Sequence, residues 1–297
     1  MLENMNGCVD RMSITPVDVL IIGRNRFQHL QKLLESSALK KNVNVYIFLD
    51  GGNCEEVDVA EREKLEKTQF VAKTYLSRHP NRLFISPRKL GCYRGVTTAI
   101  DWFFQQVKCG LILEDDLLPH PEIIPLTSQA LNVFEEWKNI GSISFYRTGK
   151  KNSENRFSFS RYPSSWGWAT WKDRWEEFDH KSDRKIRFKP FMLYKRGGLK
   201  GLRRWCNVIS RLKRNELDSW AYRWLFTFWL KNYYTVVFPF NLIENHGFGN
   251  DATHTKVGSS KSISYEEDGH QLSWEIDNWT VDDQYDEQVL RIQYGIK

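Results

Sequence analysis

The first 120 residues alternate between short apolar runs and segments with helical periodicity. Apolar runs at 17–22, 43–49, 81–85 and 110–113 are separated by stretches in which apolar residues recur every three or four positions. Runs of this length, bounded by Gly, Pro or charged residues, are typical of strands that are buried on both faces. The repeated alternation therefore predicts a doubly wound α/β fold, with a mostly parallel central sheet and helices on both of its faces.

The fourth apolar run ends in three adjacent carboxylates, Glu114, Asp115 and Asp116. At the carboxyl end of a parallel strand they would lie where open α/β sheets bind their ligands. Three adjacent negative charges repel one another, so a folded site that holds them together requires a cation. Carboxylate oxygens are suited to Mg²⁺ or Mn²⁺. The alternative is a solvated acidic turn, but the buried strand that precedes these residues favours a metal site.

The chain contains neither G-x-G-x-x-G nor G-x-x-x-x-G-K-[ST], the two common glycine-rich phosphate cradles. A bound diphosphate would therefore have to be neutralised by a metal ion and by Arg or Lys. Polar residues also follow earlier strands, with Arg26 after the first and Asp50 at the end of the second. We therefore expect a ligand-binding site at the carboxyl ends of several strands of the sheet.

Four Trp residues fall between 166 and 175. Trp171 and Trp175 have the spacing of one helical face, which predicts that they belong to the core. Trp166 and Trp168 flank Gly167 in a segment without periodicity. Their rings could either pack against a sugar or be buried like the others.

Positive charge is concentrated in the segment 184–214, which holds twelve Lys and Arg and no Asp or Glu, in a chain of net charge +6. Its apolar residues recur near one helical face, which predicts a basic amphipathic helix on an anionic membrane surface. They are Leu199, Leu202, Trp205, Ile209 and Leu212. An ordinary solvated helix is the open alternative. No nucleic acid is expected as a partner, because the basic block is a single helix and the rest of the chain is net negative.

Five scattered cysteines without C-x-x-C spacing are typical of a reduced compartment. The polar first fifteen residues do not have the pattern of a signal peptide, and no apolar run approaches the roughly 20 residues that span a bilayer. We therefore expect a cytoplasmic protein that is either soluble or peripheral on the inner face of the membrane.

Two later segments carry further candidate residues. Asp218 and Ser219 precede an aromatic helix that starts near Trp220, and either of them could cap it. The polar segment 241–255 contains His246 and His254 and has the length and composition of a functional loop.

Taken with these residues, the chain resembles glycosyltransferases of the GT-A fold. It is most similar to the inverting branch typified by N-acetylglucosaminyltransferase I and to bacterial sugar transferases that share its signatures. The resemblance is carried by the acidic motif 113–116, the Trp-Gly-Trp loop 166–168, the Asp-x-Trp at 218–220 and the late loop with Gly and His.

The resemblance implies one GT-A domain over residues 1–297. Residues 15–120 would bind the nucleotide sugar. Residues 121–257 would bind the acceptor and carry the basic insert 184–214, and residues 258–297 would form a C-terminal tail. The implied activity is the metal-dependent, inverting transfer of a sugar from a nucleotide-diphosphate donor, expected to be a UDP-sugar. The acceptor would be a glycan or a lipid-linked oligosaccharide, as in polysaccharide biosynthesis.

The resemblance also assigns a role to each matching residue. Asp116 would bind Mn²⁺ or Mg²⁺, and Asp218 would be the catalytic base. His254 would close over the donor phosphates and act as a second metal ligand, with His246 as its competitor. The remaining residues expected to bind the donor are Arg26, Asp50 at the nucleobase, Arg94, and Glu114 and Asp115 at the sugar and ribose.

Two other functions are compatible with a similar sheet. One is a sugar-nucleotide pyrophosphorylase, although the glycine-rich amino-terminal loop with Arg and Lys that this class uses is absent from the sequence. The other is a non-catalytic protein that binds a glycan or a membrane and retains the fold.

Overall fold

The computed structural model describes residues 16–51, 57–149, 156–178, 189–247 and 279–296, together with residues 272, 274 and 276. The strands in these ranges are β1 (Val17–Gly23), β2 (Val43–Leu49), β3 (Leu83–Ile85), β4 (Cys109–Glu114), β5 (Leu117–Pro119), β6 (Ile140–Ser144), β7 (Ser158–Ser160), β8 (Trp168–Trp171), β9 (Tyr234–Val237) and β10 (Ile243–Asn245). The α-helices are α1 (Phe27–Glu35), α2 (Val59–Tyr75), α3 (Gly91–Phe104), α4 (Ile123–Val133), α5 (Lys172–Trp175), α6 (Pro190–Tyr194), α7 (Gly198–Lys213), α8 (Trp220–Lys231) and α9 (Asp283–Ile292).

Eight strands form one sheet in the order β3-β2-β1-β4-β8-β6-β9-β7. The first four are mutually parallel, as the alternation of apolar runs predicts. Strand β8 is antiparallel to both β4 and β6, and β7 is antiparallel to β9. Because β6 and β9 are parallel, six of the eight strands point in one direction. The predicted α/β fold with a mostly parallel central sheet is confirmed.

Helices cover both faces of this sheet. Side chains of successive strand residues point to opposite faces, so β1 contributes to two separate cores. Val19 and Ile21 pack in the core that also contains residues of α1, α2 and α4. Leu20 and Ile22 pack in the core that contains residues of α3, α7, α8 and α9. The close packing of α3 on β4 depends on Gly110, since a Cβ atom there would lie 2.5 Å from the Phe103 ring.

The Trp-rich segment corrects one prediction. Trp171 and Trp175 do not share a helical face, because residues 168–171 form strand β8 between β4 and β6. Only the following turn, α5, is helical. Both rings are buried, as expected, but they enter the two different cores.

The basic helix is present as α7, and most of its predicted apolar face packs into the protein, with Leu199 as the exposed exception. Trp205, Val208 and Leu212 are buried in the core. The indole of Trp205 packs edge-on against Trp229 of α8, with ring centroids 5.0 Å apart. Membrane contact through Trp205 and Leu212 is therefore excluded, whereas contact of the segment 184–214 with a membrane stays a prediction. Among the described residues, no helix combines the length and apolar character needed to cross a bilayer.

Candidate active site

The polar residues predicted from the strand ends meet at the boundary between β1 and β4. The chain runs from β1 outward to β2 and β3, and then returns to place β4 on the other side of β1. Such a reversal of strand order leaves a crevice at the carboxyl ends of the two strands, where open α/β sheets bind ligands. Glu114 pairs with Ile22 in the β1–β4 register, so the acidic triplet begins at this crevice.

Arg26 lies between β1 and α1 and holds two of the three acids. Its guanidinium donates one hydrogen bond to Asp115 Oδ1 and another, of 2.6 Å, to Asp116 Oδ2. The Asp115 side chain is buried, whereas those of Arg26 and Asp116 keep some contact with solvent. A charged donor shared by two carboxylates is a strong interaction, and it partly offsets their mutual repulsion.

Burial and crowding shift the protonation of this cluster. Burial raises the pKa of Asp115 to about 6, although the nearby charge of Arg26 opposes the shift. The pKa of Glu114 lies well above its ordinary value because of burial and because Asp116 and Asp115 are close. Burial alone would lower the pKa of Arg26, but the two aspartates outweigh it and raise the pKa. The cluster holds more negative charge than Arg26 alone neutralises, which is the condition that favours an added cation.

A cation would have few protein ligands here. Among the residues that the structure describes, no three His, Cys, Asp or Glu side chains converge as a ligand set. Asp116 is the accessible carboxylate, while Asp115 Oδ2 is buried without a hydrogen-bond partner. Mg²⁺ at nucleotide sites is commonly held by one or two carboxylates plus substrate phosphates. A site of that kind fits these residues, whereas an all-protein cage does not.

Two histidines flank Asp116. Strand β10 pairs antiparallel with β5, and this pairing brings the backbone N–H of His246 to within 2.9 Å of the Asp116 carbonyl oxygen. Both His246 and His29 line an open cleft beside the acidic cluster, together with Lys32, Leu33 and residues 115–118. Burial and the charge of Arg26 lower the pKa of His29. His254 lies outside the described residues.

His29 was not anticipated from the sequence. It follows Arg26, the residue before α1, by three positions, and both residues reach the acidic cluster. This i, i+3 spacing from a residue already selected is the only local signal that could have identified it.

The amino end of α3 is held by two aspartates that are distant in sequence. Asp50 accepts hydrogen bonds from the backbone N–H groups of Leu90 at 2.7 Å and Gly91 at 3.1 Å. Asp218 accepts hydrogen bonds from the next two N–H groups, those of Cys92 at 3.0 Å and Tyr93 at 3.1 Å. The four unpaired donors of a helix amino end explain why carboxylates are stable there.

Gly91 permits the approach of Asp218. Its φ of +83° is in the left-handed region, and a Cβ atom at this position would lie 3.0 Å from Asp218 Oδ2. The thiol of Cys92 is close to both Glu114 and Asp218, and its pKa is raised to about 12 by burial and by these two charges. The acidic triplet and Asp218 therefore flank the same helix turn.

The carboxylate of Asp218 remains accessible to a ligand. The residue is exposed, and its two hydrogen bonds use only two of the roughly four acceptor positions of a carboxylate. Arg94, on the same turn of α3, is also exposed. By contrast Asp115 is buried against Arg26, which leaves it no surface for the expected contact with ribose. We correct that expectation and regard Asp115 as a residue that positions Arg26.

The two indole rings of the Trp-Gly-Trp loop differ in burial: that of Trp168 is fully buried and that of Trp166 only partly. Trp168 is only 1% exposed and stacks with Trp220, with centroids 5.7 Å apart. It has no free face for a sugar, which corrects that expectation. Trp166 is half-buried and meets Tyr146 edge-on, with centroids 4.8 Å apart. Gly167 has a positive φ, and a side chain there would collide with Ile243.

No protein-family model matches the chain, and no curated protein matches it. Solved structures that resemble it include a cytidylyltransferase from Leptospira borgpetersenii serovar Hardjo-bovis strain JB197. That match has 14% identity and a TM-score of 0.33 and covers 60% of this chain and 67% of the other.

The glycosyltransferase GlyE from Streptococcus pneumoniae TIGR4 also resembles the chain. One structure of it has 10% identity and a TM-score of 0.31, over 75% of this chain and 45% of the other. The structure of its apo form has 11% identity and a TM-score of 0.28, and the match covers 83% of this chain and 58% of the other. The chain thus spans less than two thirds of both GlyE structures. The strand order described above is what defines the chain as a Rossmann-like α/β protein, and it is consistent with the GT-A fold.

Proposed function

We propose that the chain is a metal-dependent, inverting glycosyltransferase that moves a sugar from a nucleotide-diphosphate donor, expected to be a UDP-sugar. One observation carries this proposal: Arg26, Asp115 and Asp116 form a charged cluster at the reversal of strand order between β1 and β4. A nucleotide sugar bound there would have its diphosphate beside Asp116 and its nucleobase toward β2.

Donor binding is assigned to the residues around this crevice. Mn²⁺ or Mg²⁺ bound to Asp116 would neutralise the diphosphate and stabilise its departure. His246 is beside Asp116 and is proposed to contact the phosphates. The role of His254 as a second metal ligand stays a prediction. Three further residues complete the proposed donor site: Glu114 at the donor sugar, Asp50 at the nucleobase, and Arg94.

Asp50 could still accept from a nucleobase N–H. Each of its oxygens receives one backbone N–H, so each retains an acceptor position. Because both of these N–H groups come from the residues that open α3, the carboxylate is fixed in orientation. A fixed acceptor favours a base that presents a donor in the matching plane, as uracil does.

Asp218 is proposed to remove the proton from the acceptor hydroxyl. In the transfer, the hydroxyl oxygen forms a bond to the anomeric carbon while the bond from that carbon to the diphosphate oxygen breaks. The nucleoside diphosphate leaves with the electron pair, and the proton goes to Asp218. One base is sufficient for a single displacement, so no second carboxylate nucleophile is needed. The two backbone N–H groups orient the carboxylate without occupying all of its acceptor positions.

The acceptor is proposed to be a glycan or a lipid-linked oligosaccharide. Trp166 keeps part of its ring surface exposed and is the described aromatic residue of the Trp-Gly-Trp loop that could stack on a sugar.

The test is the release of nucleoside diphosphate from a panel of nucleotide sugars, with Mn²⁺ or with EDTA. We expect slow hydrolysis of a UDP-sugar that depends on Mn²⁺. A thermal-shift measurement on the same panel reports binding, since a ligand that binds only the folded state raises the apparent stability. Stabilisation without hydrolysis would favour the non-catalytic alternative, whereas neither effect with any donor would contradict the proposal. Formation of pyrophosphate from a nucleoside triphosphate and a sugar phosphate would instead indicate a pyrophosphorylase.

A further inference from the structure

Helices α6 and α7 form a hairpin that exposes three large apolar side chains. Phe191 is 64% exposed, Tyr194 46% and Leu199 65%. Phe191 and Tyr194 are three residues apart on α6 and therefore share one side of that turn. Leu199 follows at the start of α7. Each exposure alone would be unremarkable, but three within nine residues concentrate exposed apolar surface on this hairpin, and these three side chains are called the apolar patch below.

The hairpin is fixed in shape by its connection. Gly197 and Gly198 both have positive φ, and a Cβ atom on Gly197 would lie 2.6 Å from Ile296. The indole of Trp205 donates a 2.8 Å hydrogen bond to the carbonyl oxygen of Arg196, which ties α7 to the connection. The connection that carries the apolar patch is thus held against both α7 and Ile296.

The surroundings of the patch are basic. No Asp or Glu occurs between residues 189 and 215, and the ammonium of Lys195 lies 4.7 Å above the Phe191 ring. Arg196 does not belong to the surface charge, because its guanidinium packs over Trp229. The exposed basic residues on the two helices and directly before them are Lys189, Lys195, Lys200, Arg203, Arg204, Arg211 and Lys213, of which the first four lie nearest in sequence to the patch.

We propose that the α6–α7 hairpin docks on an anionic lipid bilayer, with Phe191, Tyr194 and Leu199 entering the headgroup region. Apolar and aromatic side chains surrounded by Lys and Arg are the combination by which peripheral proteins bind such surfaces. Of the apolar face predicted for α7, only Leu199 takes part, because Trp205 and Leu212 are buried in the protein. It does not depend on the proposed enzymatic function.

The patch lies well away from the candidate base. Asp218 comes after the carboxyl end of α7, whereas Leu199 lies near its amino end, and a helix of this length spans roughly 20 Å.

The test is co-sedimentation of the full chain with vesicles of pure phosphatidylcholine or of phosphatidylcholine that contains about 30% phosphatidylglycerol. We expect binding to the anionic vesicles that weakens steeply as salt is raised. The paired change Phe191→Ser and Lys195→Glu should reduce this binding by at least about tenfold, because each basic residue near the surface contributes about fivefold. The assay contains no nucleotide sugar, so its failure leaves the enzymatic proposal untouched.

A matched control is available on α2, where Phe70 is 69% exposed and Lys64 is also exposed. The pair Phe70→Ser and Lys64→Glu makes the same change in charge and aromatic area, and it should leave vesicle binding unchanged. Three outcomes would overturn the proposal. They are an equal loss of vesicle binding in both double variants, equal binding of the wild type to neutral and anionic vesicles, and no binding of the wild type to either kind of vesicle. A wild-type dimer in sedimentation velocity that the hairpin variant abolishes would also overturn it, since the patch would then belong to a second copy. Circular dichroism confirms that both variants fold.

Discussion

Asp218 accepts a 3.0 Å hydrogen bond from the backbone N–H of Cys92, although 126 residues separate them in sequence. The residue proposed as the catalytic base is thus also a cap, and the helix that it caps is α3. Ser219 precedes α8, and the side chain of neither Ser219 nor Asp218 caps that helix. The two roles are separable by experiment, because a cap acts on stability and a base acts on turnover.

Asp218→Asn should slow sugar transfer by about 10²–10⁴, the usual contribution of a general base. Asn keeps an oxygen for only one of the two backbone N–H groups that Asp218 accepts, so the free energy of unfolding should fall by about 1–2 kcal/mol. Transfer rates and chemical denaturation of the same preparation measure both effects. Near-normal turnover with reduced stability would mean that Asp218 is only a cap.

Asp58 supplies the matched control for this variant. It caps α2 by accepting a 2.8 Å hydrogen bond from the Glu61 backbone N–H, and it belongs to neither part of the proposed site. Asp58→Asn should change stability by a similar small amount and leave transfer unchanged. A comparable loss of activity in both variants would indicate a general effect of destabilisation.

The strands of the first half could be predicted because their evidence is local. Each apolar run is short and bounded, and its carboxyl end carries the polar residue that reaches the crevice, as Arg26 and Asp116 show. Contacts between residues that are far apart in sequence produce no local sequence pattern of this kind. The contact of Asp218 with α3 and the position of His246 on Asp116 both depend on where later segments join the sheet.

Local spacing is misleading where two different arrangements of the chain produce the same spacing of apolar residues. Trp171 and Trp175 are four residues apart, which fits a helix, yet Trp171 ends strand β8. The amphipathic pattern of α7 was correctly interpreted as a helix. Its apolar face could equally have faced lipid or protein, and only the position of Trp205 against Trp229 distinguishes these cases.

Arg26→Gln tests whether the acidic cluster requires a cation. Removing the guanidinium leaves Asp115 and Asp116 without their charged partner, which should cost on the order of 3 kcal/mol of stability. Mn²⁺ should restore much of that loss if it binds at Asp116, because it would take over the neutralisation. Thermal unfolding of the variant with and without Mn²⁺ measures this rescue.

Arg24→Gln is the control for the rescue. Arg24 follows the same strand, and its side chain pairs with Glu61, so only its unchanged backbone contacts Asp115. Its loss should destabilise the chain without any recovery in Mn²⁺. If Mn²⁺ stabilised both variants equally, the ion would be acting elsewhere on the protein.

Asp286 on α9 should make stability depend on pH. Burial raises the pKa of Asp286 to about 6, although Ser160 and Arg161 donate hydrogen bonds to it. The folded state therefore keeps this proton at pH values where the unfolded chain has lost it. The stability that this group contributes is complete below about pH 4 and is lost as pH rises to about 6. The loss is on the order of 2–3 kcal/mol.

Asp286→Asn cannot ionise, so its stability relative to the wild type should increase across that same interval. Urea unfolding at half-unit steps from pH 4 to 7 measures the difference. Asp283→Asn removes another carboxylate that pairs with Arg161, but this one is exposed, and it serves as the control for the loss of an ion pair with Arg161. A pH-independent difference for Asp286→Asn would show that the carboxyl titrates normally in the fold.

Asp116→Ala tests the central claim most directly. Calorimetric titration of the wild type with UDP in Mn²⁺ should show binding that EDTA abolishes, because the ion and the diphosphate complete each other's coordination. The variant should retain its melting temperature to within a few degrees, since Asp116 follows a strand and keeps contact with solvent. It should show no Mn²⁺-dependent binding of UDP. Unchanged binding by Asp116→Ala, or no binding of any nucleoside diphosphate by the wild type in Mn²⁺, would contradict the assignment.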